Sequence, residues 1–465
     1  MSSVIIIRPI SHSWDKETYM RYVTIPHGLL HLAAPLVAAG YDVKIIDEAV
    51  EENAEGLLKE ELKKNPVCVG ISSMTGAQIS NGLRFSKIVK EESDIPVVWG
   101  GAHPTVEPEA TLAHPLIDLV LCGDGEETFL ELVGNLKNKK SVKGIQGVGY
   151  KEEGKIYVNG KRYVENLDSI PPLPFHLIQM EKYITSVKKK WISRYFEIHT
   201  GRGCPYNCAF CQNSVHRINR RMKSVAKIIE ELKFLVEKYG IDGITWEDEI
   251  FSLDKNRIAQ ICQAILDKGI KVKLRGGFRV DNFSNYPDHF IELMKKAGFI
   301  HFGFGVETGS PRILKYINKN VTIGQIEKTI DRIKKYGFLA TYNFMAGFPT
   351  ETKEEFKETL KMILKIFKLN EQMIYPVSGP SFYTPFPGTR LHQEALKLGF
   401  NPPRSLEEWS KFDYNNVEMV WVDKDLMKFM REAREIVNNL NQKFTGEEAK
   451  LTPADYKPLE DLINT

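Results

Sequence analysis

Short apolar runs alternate with helix-length amphipathic segments through the first 140 residues. The runs Val4 to Pro9, Asp42 to Asp47, Val67 to Ser72, Pro96 to Trp99 and Leu119 to Cys122 predict buried strands. Between them, Gly28 to Ala39, Ala54 to Lys64, Ile79 to Glu92, Glu107 to His114 and Glu126 to Lys137 carry apolar positions three and four apart, the spacing of a helix face. Buried strands separated by helices predict an α/β fold with a doubly wound, Rossmann-like parallel sheet over residues 1–140.

The alternation resumes after residue 195. Strands are expected at Phe196 to Thr200, Gly243 to Glu247, Lys271 to Arg275, His301 to Val306, Ala340 to Met345 and Ser378 to Thr384. Helices are expected at Val225 to Tyr239, Asn256 to Lys268, Tyr286 to Ala297, Ile323 to Tyr336 and Lys353 to Phe367, with Thr322 and Thr350 as N-caps of the last two. This domain, 196–400, thus holds six βα units where a closed barrel has eight. A connector, 141–195, carries a hairpin turned at Glu153-Gly154 and an extended Pro-rich stretch from Ser169 to Phe175, with Tyr183 to Arg194 toward the domain interface. The remaining 401–465 form a small, mainly helical region with a charged amphipathic helix at Lys424 to Phe444.

Composition narrows the classes. At 465 residues the chain exceeds one ordinary domain. Its net charge is only +3, and Lys188 to Lys190 and Arg217 to Lys223 read as solvated faces, so no nucleic-acid partner is expected. No apolar run reaches membrane-spanning length and Met1 to Arg8 is too short for a signal peptide, so no integral membrane segment is expected. Cys68, Cys122 and Cys262 stand alone in apolar segments, a reducing-compartment pattern that points to the cytoplasm.

The other three cysteines, Cys204, Cys208 and Cys211, fall within eight residues as Cys-x3-Cys-x2-Cys. Thiolates this close indicate metal. They suit a cubane iron–sulfur cluster with three irons held and the fourth open. The alternative is a structural zinc with His216 as fourth ligand, although zinc ribbons normally bring two paired Cys-x2-Cys arms. No Cys cluster for a second iron–sulfur centre follows in the tail.

This motif, with Phe210 just before the last cysteine, resembles the cluster loop of the radical S-adenosylmethionine (SAM) enzymes. The resemblance implies a partial (βα)6 barrel and a [4Fe-4S] cluster on Cys204, Cys208 and Cys211. It implies SAM chelating the open iron and splitting, on reduction by a ferredoxin- or flavodoxin-type donor, to a 5′-deoxyadenosyl radical that abstracts hydrogen. The polar strand ends follow the family's order. By that resemblance Phe210, Asp248, Glu249, Arg275, Arg279, Glu307 and Gly347 line SAM. Relatives commonly carry Asp-Asp where this chain has Asp248-Glu249, so which carboxylate reaches SAM stays open. Tyr342, Phe344 and Tyr383 near the barrel mouth are candidates for substrate contact.

In the first domain, glycine-rich loops follow three strands: Ser72 to Gly76, Gly100 to Pro104 and Gly123 to Thr128. They can bring backbone close to a ligand or serve only as tight turns. No Gly-x-Gly-x-x-Gly follows the first strand, which disfavours NAD. Beside the cluster motif, Pro26 to Leu30, Gly100 to Thr105 and Gly123 to Glu126 resemble the cobalamin-binding domain of cobalamin-dependent radical SAM enzymes. That resemblance implies Ser72, Met74, Thr75, Gly100, Gly101, His103, Gly123, Gly125 and Glu126 around cobalamin. The Asp-x-His-x-x-Gly signature is absent, so no histidine would ligate cobalt from below, and Met74 or Thr75 would lie nearest its lower face. The implied activity is C-methylation of an unactivated carbon, with one SAM methylating cobalamin and another generating the radical. A cyclase or carbon–carbon coupling enzyme acting on a lipid or tetrapyrrole precursor is an alternative on the same fold. A non-catalytic corrinoid- or metal-binding protein is another. The substrate is left as a small molecule, lipid or peptide.

Overall fold

The computed structural model describes residues 2–11, 23–184, 193–216, 219–369, 376–412, 418–443 and 451–465. The lysine run at 188–190, Arg217 and most of the stretch expected at the domain interface lie outside them. The chain divides into two units, Met1–Thr185 with Pro402–Asn416 and Ser186–Asn401 with Val417–Thr465. The C-terminal region is therefore shared between the two.

The first unit is built on seven strands: β1 (Ser3–Arg8), β2 (Asp42–Asp47), β3 (Val69–Ser72), β4 (Val97–Gly100), β5 (Leu119–Leu121), β6 (Val148–Glu152) and β7 (Lys155–Val158). They lie in the order β2-β1-β3-β4-β5-β6-β7, parallel through β5. Strand order reverses between β1 and β3, which opens a crevice beyond their carboxyl ends, the usual ligand position of such sheets. The hairpin expected in the connector is instead part of this sheet: β6 pairs antiparallel with β5. Glu153 and Gly154 both have positive φ, 49° and 75°, as a two-residue hairpin turn requires. The helix expected at 107–114 spans Pro108–Leu112, and a further short helix, Ala102–Val106, precedes it; the two stay separate because Pro108 can start a helix but not continue one. The aromatic stretch after residue 402 packs on this unit, with Trp409 5.6 Å from His103 and Glu407 3.3 Å from His114.

The second unit holds β8 (Tyr195–Ile198), the short pair β9 (Gly201–Arg202) and β10 (Arg221–Met222), then β11 (Gly243–Trp246), β12 (Lys273–Phe278), β13 (Phe299–Glu307), β14 (Leu339–Ala346) and β15 (Val377–Phe382). Six of these form one sheet in chain order, β8-β11-β12-β13-β14-β15, with every neighbouring pair parallel. This is the six-unit parallel arrangement the sequence predicts. Side chains alternate faces along each strand. Phe196, Ile198, Ile244, Trp246, Leu274, Phe278, Phe302, Phe304, Tyr342 and Phe344 are buried on the face that packs against helices. Glu197, Thr245, Glu247, Arg275, Gly277, His301, Gly303, Thr341 and Asn343 share the other face. Strand β12 runs three residues past its expected end, so Arg275 is mid-strand and Arg279 follows the end.

Helix ends follow local chemistry. Thr322 makes a reciprocal capping box with Gln325. Thr352, not Thr350, caps the helix Lys353–Leu369, its hydroxyl accepting from the Glu355 N–H at 3.3 Å. Thr350 sits at φ 67°. The helix expected at Tyr286 to Ala297 spans Asp288–Lys296, starting after Pro287, and a short helix not expected from sequence, Val280–Ser284, precedes it. Arg221 and Lys223, read from sequence as solvated, are 6% and 5% exposed; β9 pairs with β10, and Lys223 meets Glu231 at 2.7 Å. Among the described residues no helix is long and apolar enough to cross a membrane.

Candidate active site

Strand β8 delivers the chain into the cysteine loop. The loop is pinned to its surroundings by backbone: Ala209 donates to the Ile317 carbonyl at 2.8 Å and accepts from Leu391 N–H at 3.0 Å. Asn318 donates to the Asn207 carbonyl at 2.6 Å. Ala209 packs with Phe348, Tyr383 and Leu391, and Phe210 lies against this cluster. Cys211 N–H donates to the Cys208 carbonyl at 3.2 Å, which folds the last two cysteines into one turn.

Arg279 organises the loop's electrostatics. Its guanidinium stacks 3.6 Å over the Tyr206 ring, donates to Asp281 at 2.9 Å and to the Lys319 carbonyl at 2.5 Å, and approaches the Cys208 sulfur at 3.7 Å. Burial pushes the Cys204 thiol up and the Cys211 thiol up to about 11, with neighbouring thiolates adding to both. Three thiolates confined here therefore call for positive charge, which iron supplies. A cubane takes its three thiolates on three separate irons. The donor set fits the cluster. The side chain of His216 lies outside the described residues.

The two carboxylates left open by the sequence separate cleanly. Asp248 is buried and turned inward, accepting from the Thr200 N–H and hydroxyl at 2.5 Å each and from Gly201 N–H at 3.0 Å. Arg257 clamps the same turn through the Thr200 carbonyl at 2.8 Å. Asp248 thus fixes the exit of β8 and is not free for SAM. Glu249 stays exposed on the cysteine loop, accepting from Gly203 N–H at 3.2 Å, and burial of its carboxyl raises its pKa. Glu307 ends β13 with φ 71°, a left-handed conformation costly for a non-glycine residue. Its carboxylate pairs with buried Lys319 at 2.5 Å.

Other expected contacts are corrected. Gly347 has φ 78°, but a Cβ there would meet the Met419 sulfur at 2.4 Å, and its carbonyl accepts from Trp421 at 2.9 Å. Its face is covered. Tyr342 and Phe344 are fully buried on the helix-packed face, Tyr342 stacked on Phe304, and Tyr383 is buried in the cluster beside Phe348. Sequence reasoning missed Lys319 and Tyr206, whose contacts with Glu307 and Arg279 are made only by the fold, and Glu351. Glu351 accepts from Gly347 and Phe348 N–H at 2.7 and 3.2 Å, and burial lifts its carboxyl to about 8.

In the first unit the loops after β3, β4 and β5 gather at the carboxyl edge. Met74 is 56% exposed, the most open of the large apolar side chains described, while its N–H is held by Gln78 at 2.7 Å. Thr75 bonds His103 Nδ1 at 3.1 Å. His103 is fully buried, its pKa lowered by burial to about 4, and its ring braces the loop through Thr75. Glu126 likewise turns inward to His31 at 3.6 Å. Gly101, Gly123 and Gly125 are required by packing: added Cβ atoms would meet the Ser73 carbonyl at 2.8 Å, the Arg162 carbonyl at 2.1 Å and Leu32 at 2.4 Å. The edge thus presents a thioether and no imidazole, a donor set that fits a cobalamin without a histidine below cobalt.

Comparison with known proteins agrees. Residues 198–363 match the radical SAM superfamily and residues 18–133 the B12 binding domain. An uncharacterised methyltransferase of Pyrococcus horikoshii is 37% identical over 413 residues, 88% of this chain and 86% of its own. The anaerobic magnesium-protoporphyrin IX monomethyl ester cyclase of Rubrivivax gelatinosus is 28% identical, covering 84% of this chain and 69% of its own. Among solved structures, the methyltransferase TsrM from Kitasatospora setae, with cobalamin and a [4Fe-4S] cluster bound, superposes with TM-score 0.70 at 16% identity, over 100% of this chain and 99% of its own.

Proposed function

Because the chain belongs to the radical SAM enzymes that carry a B12-binding domain, we propose that it is a cobalamin-dependent C-methyltransferase acting on an unactivated carbon. The observation that carries this reading is Arg279 set against Cys208 in the three-cysteine loop, in a chain whose other unit leaves Met74 open at its carboxyl edge. The cluster with SAM supplies hydrogen-atom abstraction and the cobalamin supplies methyl transfer, the hard chemistry of the reaction.

The chain's own residues do the holding. Cys204, Cys208 and Cys211 ligate the cluster, and Arg279 with Lys319 offsets thiolate charge. Glu249, at the loop's edge, accepts from the SAM ammonium, and Glu307, released from Lys319, accepts from ribose hydroxyls. Phe210 would help hold the cluster's SAM. Met74, with Ser72, Thr75 and Gly100, would hold the cobalamin. An electron donor and a small-molecule substrate complete the reaction in a reducing cytoplasm.

Several relatives of the chain are methyltransferases by name and others are cyclases of a tetrapyrrole, so cyclisation on the same scaffold is the second reading. Anaerobic reconstitution tests the shared premise. The protein should hold about four irons and form 5′-deoxyadenosine from SAM with a low-potential reductant, and Cys208→Ala should do neither. Bound zinc with no cleavage would refute it.

A further inference from the structure

A central strand of a parallel sheet is normally covered on both faces. Here Gly277 on β12, Asn343 on β14 and Glu247 at the end of β11 are exposed on the face away from the helices. A Cβ at Gly277 would meet nothing within 4 Å, and one at Gly303 only the Gly276 carbonyl at 3.8 Å. Two adjacent strands therefore contribute a glycine floor with open space above it. Burial raises the pKa of the Glu247 carboxyl and the positive charge of Arg275 pulls it down, so the two side chains face one hollow although no hydrogen bond joins them.

Arg275 shares this face, two residues before Gly277, level with Thr245 and His301 on the flanking strands. Its guanidinium lies 5.7 Å over the Tyr195 ring, a contact that leaves the in-plane donors unused. Among the described residues it makes no hydrogen bond or ion pair, and its buried Nε has no partner. The side chains of Glu247 and Asn343 have no hydrogen-bond partner among the described residues either. A buried Nε with no partner on a permanently charged group is costly without a ligand. Arg279, four residues on and about 13 Å further along the strand direction, is the arginine committed to the cysteine loop. Arg275 is left for a different molecule.

We propose that this hollow binds the substrate by an oxyanion group, a carboxylate or a phosphonate, received in a forked contact by Arg275, an assignment that rests on the reading of the chain as a radical SAM enzyme. A planar guanidinium matches the two oxygens of such a group. Asn343 can donate to the same group, and Glu247 accepts from a hydroxyl or ammonium elsewhere on the molecule. A wholly apolar substrate would leave all three unpaired.

Calorimetric titration of the reconstituted holoenzyme with succinate, phosphonoacetate and uncharged succinamide tests this. At least one anion should bind, also with SAM saturating, and succinamide should not; the stronger anion identifies the oxyanion. Arg275→Gln should weaken that binding at least tenfold, with Arg275→Lys between. Gly277→Val, which fills the hollow without meeting a neighbour, should abolish it in a protein of unchanged thermal unfolding. Equal binding to wild type and Arg275→Gln, binding of neither anion, or displacement of the anion by SAM would overturn the proposal. A wild type that forms no 5′-deoxyadenosine would instead sink the radical SAM reading, and the titration would still decide what Arg275 binds.

Discussion

Lys319 Nζ stands 2.5 Å from Glu307 Oε1, and both side chains are buried. Removing one partner of such a pair strands the other charge, at roughly 3–5 kcal/mol. Lys319→Met should therefore destabilise the protein by that order, and adding Glu307→Gln should recover most of the loss, read as midpoints in urea unfolding. Additive losses in the double variant would mean that the two do not interact.

Arg279 meets the Tyr206 ring, Asp281, the Lys319 carbonyl and the Cys208 sulfur at once. Only a planar fork can serve these partners together. Arg279→Lys and Arg279→Gln should both lose iron on gel filtration after reconstitution, the second more, with Cys208→Ala as the floor. Full retention in Arg279→Gln would remove it from the cluster's support.

Glu351 titrates high in the fold, about 8, because burial penalises its charge. Unfolded, it titrates near 4.3. Between these values the native state binds the extra proton, so this contribution is full below the unfolded pKa and is lost as pH rises through about 8. Glu351→Gln keeps an acceptor for Gly347 and Phe348 and cannot ionise. Its stability relative to wild type should rise by a few kcal/mol from pH 5 to pH 9, measured by urea unfolding of both proteins at each pH. A flat difference would contradict the assignment.

Much of this was legible in the sequence. Apolar runs marked all six strands of the second unit's larger sheet, because strands covered by helices must be apolar on that face, but left no sign of the short pair β9–β10. The three cysteines identified themselves by spacing. What failed concerns direction. Asp248 and Glu249 are neighbours, yet one turns in to Thr200 and the other stays on the cysteine loop. Tyr342 and Phe344 lie next to Asn343 in the chain and on the opposite face of the sheet. An error of one residue in strand phase reverses which side chains a substrate would meet. Lys319 left no local mark, since its partner is brought up only by the fold.

Tyr342 illustrates the correction. Its hydroxyl is buried with no partner among the described residues, and burial raises its pKa. Tyr342→Phe removes an unmet polar group and should leave stability unchanged or higher by about 1 kcal/mol. A rise in KM with unchanged stability would restore it to the substrate site.

Met74, open at the carboxyl edge beside Thr75 and Ser73, is the residue proposed below cobalt. Met74→His should place an imidazole there. In the reduced cob(II)alamin form, electron paramagnetic resonance of the variant should show nitrogen splitting that the wild type lacks. Identical spectra would place the lower face elsewhere.

The most direct test of the central claim follows the methyl group. Reconstituted protein with hydroxocobalamin, a low-potential reductant and SAM labelled in its methyl carbon should transfer label to the protein-bound cobalamin and also form 5′-deoxyadenosine. The deoxyadenosine should vanish in Cys208→Ala. Label in cobalamin together with deoxyadenosine is the result the account predicts. Deoxyadenosine with no cobalamin bound and no label transferred would contradict it and favour cyclisation.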